Sequence, residues 1–593
     1  IPLMRKMKKV ISLSSFSLFL LIAGALLPLS FSRAAWNGRA GGGSEGKASA
    51  PSPVQVQQLI SPSFTVKANI PINHFSHKML GVAHGNWEHA WGKYFAGDVP
   101  GLDIIYNSAH VGLIRYAGGL WANWVGWERT KQKTPYTTWS PTRTNFYTDF
   151  QNKVNTNNTY SFHYGTDEID SLAQLAQKSG ADIMIQVNIS QNDPFMWADM
   201  VRYTNIEHHY NFKYWELGNE IDLECNQTNT SCIDANTYKT RAAAYIAAMK
   251  AVDPTIRIVG GASASGHDFV ANNWADTPNL SRYLFSGRDA GADDISYHWY
   301  SDCNSTDYTN LFAWTWSSSN TSWVNSYSRS WSQIIPARVQ DEVINPSGRN
   351  MEQGITELND DACDFNRAPQ NGNHINAVWY ADILGRLAYN GLDFVTWYEG
   401  YGNGSNGGFP SVWVEQDNPV SMEDIHLRPS FYTIFLYGNF FGDQMVEVTT
   451  PVPDSISVWA STDSNDPGTL KLIVTNISAA TANTTINLSG FTAVSGDKYE
   501  MTSSDPLNRT AVSNGPDHAT RINGFKLLST NIATAASKIP KRVVSIQNGI
   551  VKETIAPYSV TAIILRSDGS FPPPTPSPNN SCFLPLMLLP PSP

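Results

Sequence analysis

Tyr214-Trp-Glu-Leu-Gly-Asn-Glu220-Ile-Asp222 is the stretch on which the reading of this chain turns. An apolar, β-prone run (Phe212, Tyr214, Trp215, Leu217) stops at Gly218 and delivers an amide and a carboxylate, Asn219 and Glu220. A buried strand that ends in adjacent polar side chains is how a parallel β/α barrel presents catalytic groups at its C-terminal rim. A strand followed by an ordinary polar loop has the same local pattern. The neighbouring chain has to discriminate between them.

On both sides the pattern is strand, loop, helix, repeated. Eight candidate strands fall at 79–83, 111–116, 182–188, 214–218, 256–260, 294–298, 354–356 and 394–398. Between them, Thr166 precedes two acids and apolar residues at Ile169, Leu172, Leu175 and Ala176, a capped amphipathic helix. An Ala-rich segment at 238–252 runs into Asp253-Pro254, and 376–389 ends at Asn390-Gly391, a helix C-terminus signal. Eight alternations predict an α/β fold, a (β/α)₈ barrel with long loops. A doubly wound open sheet is the alternative, but it would usually carry a Gly-rich phosphate loop, and the sequence has none.

Beyond Trp413 short β-rich runs take over, at 444–449, 455–460, 470–476, 484–488, 550–555 and 559–565. They predict an antiparallel β-sandwich. The expected division is a signal peptide over 1–35, a flexible segment over 36–60, a catalytic barrel over 61–428, the β-sandwich over 429–567 and a Pro-rich tail over 568–593. Residues 61–72 alternate like a strand ahead of the barrel and are a candidate to pair with the β-domain.

At 593 residues the chain is too long for one core, which agrees with two domains. A net charge of −10 with no basic stripe excludes nucleic acid as a partner. Of the 19 Trp, 17 fall between Trp87 and Trp413, a surplus that suits a sugar-binding cleft as well as a core. Trp87, Trp91, Trp121, Trp124 and Trp127 fall in the first two rim loops. Arg5, Lys6, Lys8 and Lys9 precede an apolar run from Val10 to Leu29 and small residues at Ala34 and Ala35. That is a secretory signal, with an uncleaved membrane anchor as the alternative. In an exported chain Cys225 with Cys232, and Cys303 with Cys363, could form two disulfides, leaving Cys582 over. No cysteine spacing is a metal signature, and neither metal nor cofactor is expected.

Strand seven repeats the theme of strand four. Gly354-Ile-Thr-Glu357 brings a carboxylate to its end, 137 residues after Glu220. That is three β/α units of about 45 residues, so the two carboxylates can face one cavity, as retaining glycosidases require. Strand six delivers Ser296-Tyr-His298-Trp-Tyr300, and alternation sends His298 and Tyr300 to one side. The same residues would serve as core aromatics with a satisfied histidine. Strand two ends in Arg115-Tyr-Ala-Gly-Gly119. An Arg inside a barrel must be paired, and Glu357 is the natural partner. Trp397, in strand eight, is either a subsite floor or a barrel-filling side chain.

Trp215-Glu-Leu-Gly-Asn-Glu220, Tyr297-His-Trp-Tyr300 and Ile355-Thr-Glu357 together resemble the clan A glycoside hydrolases. Leu217-Gly-Asn-Glu220 and Arg115-Tyr-Ala-Gly-Gly119 are similar to family 51 arabinofuranosidases and to families 39 and 79. Ser296-Tyr-His-Trp-Tyr300 and Ile355-Thr-Glu-Leu-Asn359 are similar to family 44 endoglucanases and xyloglucanases. The resemblance implies a retaining enzyme with Glu220 as acid/base, Glu357 as nucleophile and Asn219 on the sugar 2-hydroxyl. Arg115, His298, Tyr300, Trp397 and Trp121 would complete the sugar site. The expected protein is a secreted endo-acting hydrolase of plant-type polysaccharide. An exo-acting arabinofuranosidase or β-glycosidase, and an inactive carbohydrate-binding or adhesion protein, are the alternatives.

Overall fold

The computed structural model describes residues 60–85, 96–123, 125–129, 162–226, 232–266, 279–302, 328–361, 372–403, 411–414, 419–449, 455–507 and 518–567. The expected signal, the N-terminal segment up to residue 59, the tail, Trp87, Trp91, Trp124 and Cys582 lie outside them. So do the side chains of Trp121, Cys225, Cys303 and Cys363.

Eight parallel strands close into a barrel. They are β1 (Gly81–Gly85), β2 (Leu113–Ala117), β3 (Asp182–Val187), β4 (Tyr214–Leu217), β5 (Arg257–Ser263), β6 (Asp294–Asp302), β7 (Gln353–Asp361) and β8 (Phe394–Tyr398). A helix follows each strand: α1 (Leu102–Ser108), α2 (Thr166–Ser179), α3 (Pro194–Val201), α4 (Ala235–Val252), α5 (Arg282–Ala290), α6 (Ser328–Arg338), α7 (His374–Tyr389) and α8 (Pro429–Phe440). The (β/α)₈ barrel expected from the alternation is therefore the fold. Leu113, Met184, Tyr214, Val259 and Phe394 form a separate buried cluster from five strands. Counting two residues along each strand from that cluster reaches Arg115, Gln186 and Glu216, which tells lumen-facing from helix-facing positions.

Ser63–His74 pairs antiparallel with Gln444–Thr449 and parallel with Ala482–Ser489. It thus joins one continuous curled sheet, otherwise antiparallel, that contains every strand of the second domain. Phe64, Val66, Val458, Leu472, Val474, Ile486, Val551 and Ile563 fill its interior.

Sequence had grouped 429–440 with that sheet, but it is helix α8. Phe431, Tyr432, Ile434 and Phe435 carry β propensity, and burial on all sides erases the helical period. Pro429 in the first turn is the surviving helix signal. The same loss of period marks α7, whose residues 374–388 are all buried. The curled sheet covers it through Trp459, whose ring lies 5.1 Å from the Arg386 guanidinium. At Gly385 the approach is so close that an added Cβ would lie 2.2 Å from Trp459 Cδ1.

Candidate active site

The strand ends on the C-terminal rim set the site. β4 stops because Gly218 takes φ +90°, and an added Cβ there would press on Ile189 and Ile221, each at 3.0 Å. Glu220 itself sits at φ +46°, a conformation that costs a non-glycine residue about 1–3 kcal/mol. Its neighbours hold it there. The Glu220 N–H donates to Ala262 O at 2.7 Å. Asn123 closes a two-bond clamp on the preceding residue, accepting from Asn219 N at 3.0 Å and donating to Asn219 O at 2.6 Å.

On β7 a bulge does the equivalent work. Ile355 pairs with Tyr297, but the next pair is Glu357 with His298, so Thr356 is the extra residue. Without that insertion strict alternation would turn Glu357 away from the lumen.

The two carboxylates meet over His298. One oxygen of Glu220, one of Glu357 and a His298 ring nitrogen all lie within 4.8 Å of one another. His298 Nδ1 is 2.9 Å from Glu220 Oε1 and 3.6 Å from Glu357 Oε2. Glu357 receives three donors: Arg115 Nη1 at 2.8 Å, the Gly119 N–H at 3.1 Å and the Tyr300 hydroxyl at 2.7 Å. A cation added across this trio would stand beside the Arg115 charge, which opposes metal binding.

The environments push the two acids apart. Burial raises Glu220 above the ordinary carboxylate range, and contact with His298 offsets only part of that. Burial acts on Glu357 in the same sense, but the charges of His298 and Arg115 and the Tyr300 hydroxyl outweigh it, so Glu357 is lowered. Burial works against charge on His298, yet the flanking Glu357 and Glu220 raise it. One acid held protonated beside one held ionised is the division of labour that acid/base and nucleophilic catalysis need.

Arg115 ties the network together from the lumen, with no exposed surface. Its Nε donates to Glu216 Oε2 at 2.7 Å, and Nη2 donates to Asn219 Oδ1 at 2.8 Å while lying 3.2 Å from His298 Nε2. Gln186 Nε2 also donates to Asn219 Oδ1, at 2.8 Å. Two donors on that oxygen fix the amide, leaving Asn219 Nδ2 buried with no partner among the described residues. A buried hydrogen-bond donor is thus left unused on the residue next to Glu220.

Structure and sequence diverge at the tryptophans. Trp397 faces away from the lumen and is fully buried between Tyr380, at 4.3 Å between ring centroids, and Trp379, at 6.5 Å. It fills the layer between β8 and α7, so it floors no subsite. Its neighbour Tyr398 is the aromatic on the lumen side, 6.1 Å from the Tyr300 ring. Trp127 is buried too, its Nε1 donating to Asp199 at 2.9 Å. Trp121 lies in the turn Leu120–Asn123, directly after Gly119.

Sequence reasoning missed Glu216, Ser296, Gln186 and Asn123. Glu216 had a readable signal: it is a lone acid in an apolar strand, two residues from lumen-facing Tyr214 and in reach of an Arg that needed a partner.

No family model matches the chain. It is 29% identical over 186 residues to the intracellular exo-α-(1→5)-L-arabinofuranosidase 1 of Bacillus subtilis (strain 168). That alignment spans 29% of this chain and 34% of that protein, about a third of the relative's length. Among solved structures, the family 51 α-L-arabinofuranosidase of Thermotoga petrophila RKU-1 superposes with a TM-score of 0.58 at 16% identity. The superposition covers 85% of this chain and all of that one. The family 44 xyloglucanase of Paenibacillus polymyxa gives 0.53 at 14% identity, covering 86% of this chain and 100% of its own. The resemblance read from the motifs is borne out at the level of fold: this chain has the barrel-and-sheet architecture of the family 44 and family 51 glycoside hydrolases.

Proposed function

We propose that the protein is a retaining glycoside hydrolase acting by double displacement. The observation that carries this is the pairing of Glu220 and Glu357 across less than 5 Å, with the first pushed towards its protonated form and the second towards its ionised form. Retaining enzymes hold their two carboxyl groups about 5–5.5 Å apart, too close for a water between acid and base.

In the first step a Glu357 oxygen attacks the anomeric carbon as the bond to the leaving oxygen breaks. Glu220 gives that oxygen its proton. In the second, Glu220 takes a proton from water, and the water oxygen displaces Glu357 from the same carbon. The free Asn219 amide donates to the 2-hydroxyl, Arg115, Tyr300 and His298 hold Glu357 ionised, and burial keeps Glu220 protonated. Trp121 is kept as a sugar contact by its place in the rim loop.

The substrate is proposed to be a plant-type polysaccharide or an oligosaccharide derived from it, cut internally as in endo-glucanases, xyloglucanases and xylanases. The B. subtilis relative supports a second reading, exo-action releasing arabinofuranose. We further propose export directed by residues 1–35, with Cys225–Cys232 and Cys303–Cys363 as bridges. Among the described residues no helix is long and apolar enough to cross a membrane.

Glu220→Ala tests the mechanism. It should lose turnover on unactivated substrate, recover it on activated aryl glycosides with azide, and release the glycosyl azide of retained configuration. An inverted azide product, or a variant as active as the parent, refutes the assignment. Product sizes from glucan, xyloglucan, xylan and arabinan separate endo- from exo-action.

A further inference from the structure

We propose that Glu216, which makes no contact with a reacting atom, is a positioning residue: a buried counter-anion that aims Arg115 and thereby sets the ionisation of Glu357. The inference rests on the glycosidase reading above.

Glu216 and Arg115 each have no exposed side-chain surface, and they meet through Nε at 2.7 Å. The other Glu216 oxygen accepts from the Ser296 hydroxyl, also at 2.7 Å. The carboxylate is therefore pinned from β6 as well as β2. A guanidinium is planar, so fixing Nε against Glu216 leaves little freedom in where the remaining nitrogens point. They point at the two groups the mechanism uses, Nη1 at Glu357 and Nη2 at Asn219. Register sets Glu216 opposite Gln186, the residue that fixes the Asn219 amide from the other side.

The second consequence is electrostatic. Glu357 faces Arg115, Glu220, His298, Tyr300 and Tyr398. Arg115 is the fixed cation of that set, and its charge is shared between Glu216 and Glu357. With Glu216 neutral, the whole charge would fall on Glu357 and favour its ionised form further. One negative charge fewer would also make Glu220 a stronger acid. Both limbs of the pH profile should then move to lower pH together. A merely structural salt bridge would change stability and leave the profile in place.

The experiment compares full-length wild type, Glu216→Gln and Glu216→Asp. Gln keeps the shape and removes the charge; Asp keeps the charge and shortens the reach. For Glu216→Gln we expect kcat to fall about ten- to a hundredfold, with KM within about threefold. The acid limb should shift down by about half a pH unit or more. For Glu216→Asp we expect a lower kcat with the acid limb unmoved. Carbon-13 NMR of labelled glutamate carboxyls, with Glu357 assigned by Glu357→Gln, reads the same shift without turnover. Wild-type kcat and an unmoved Glu357 titration in Glu216→Gln overturn the proposal. If that variant does not fold, wild-type kcat in Glu216→Asp overturns it instead. A wild type that hydrolyses no glycoside defeats the glycosidase reading, while the titration still decides the role of Glu216.

Discussion

The rim around Glu220 and Glu357 and the seam between barrel and curled sheet both bury polar side chains, but they join different things. At the seam the bonds tie α7 across to the curled sheet. His374 pairs with Thr520 on one nitrogen and donates to Tyr558 O on the other, at 3.0 and 2.8 Å. Asp382 takes both Arg386 and Ser457. At the rim the network of Glu216, Arg115, Glu357 and His298 reaches Glu220 through His298, yet ends in a donor with no partner among the described residues, Asn219 Nδ2. Buried polar atoms left unmade are costly.

The contrast can be broken most forcefully at the rim. Glu357→Ala should cut turnover by about 10⁴-fold or more, because the proposed covalent route would disappear. Activity within tenfold of wild type would reverse the assignment. Next in size is Arg115→Lys. An ammonium cannot serve Glu216, Glu357 and Asn219 together, so steady-state kinetics should show kcat/KM lowered about a hundredfold.

These large effects fall on residues that were legible in the sequence. Glu220, Glu357, Arg115, His298 and Tyr300 stood at strand ends or at alternate positions, where period and spacing speak directly. The eight-strand count was legible for the same reason. Helix α8 was not, since a helix buried on every side has no amphipathic period. Nor was the direction of Trp397, because one residue of uncertainty in where a strand begins inverts every side chain on it. The bulge at Thr356 shows the same sensitivity from the other side: it aims Glu357, and it appears only as a break in pairing. Asn123 and Gln186 act through bonds to Asn219, and composition carries no trace of such partnerships.

The seam should respond to pH where the rim responds to substitution. Burial pushes His374 and His518 down to about 4, against about 6.5 for an unfolded histidine. Folded-state values this low favour the neutral ring, so the stabilisation is full above about pH 6.5 and is lost as pH falls towards 4. Each histidine can account for at most about 3 kcal/mol. Melting curves of wild type and His374→Gln at pH 7.5 and 4.5 check the sign: the variant should lose less on acidification. A steeper loss in the variant would contradict it. Gly385→Ala acts on the same interface by shape. Its methyl would drive against the Trp459 ring, an overpacking cost of about 1–3 kcal/mol. The expected result is a lowered melting temperature with kcat per folded molecule unchanged, measured by calorimetry beside active-site titration.

The smallest effect on catalysis should come from Trp397, and there it is most diagnostic. A tryptophan that floors the subsite where the bond breaks would contribute binding in both ground and transition states. Its replacement would raise KM about tenfold or more. The observed ring instead packs on Tyr380 and Trp379 behind β8, with no surface open to the lumen. Trp397→Phe should therefore leave KM and kcat within about twofold and lower stability by about 1–2 kcal/mol, the cost of a partly filled cavity. Tyr398→Phe, on the lumen side of the same strand, is the matched control. If Trp397→Phe moves KM and Tyr398→Phe does not, the assignment of lumen and helix faces along β8 is inverted, and with it the division between a rim that does chemistry and a barrel wall that only packs.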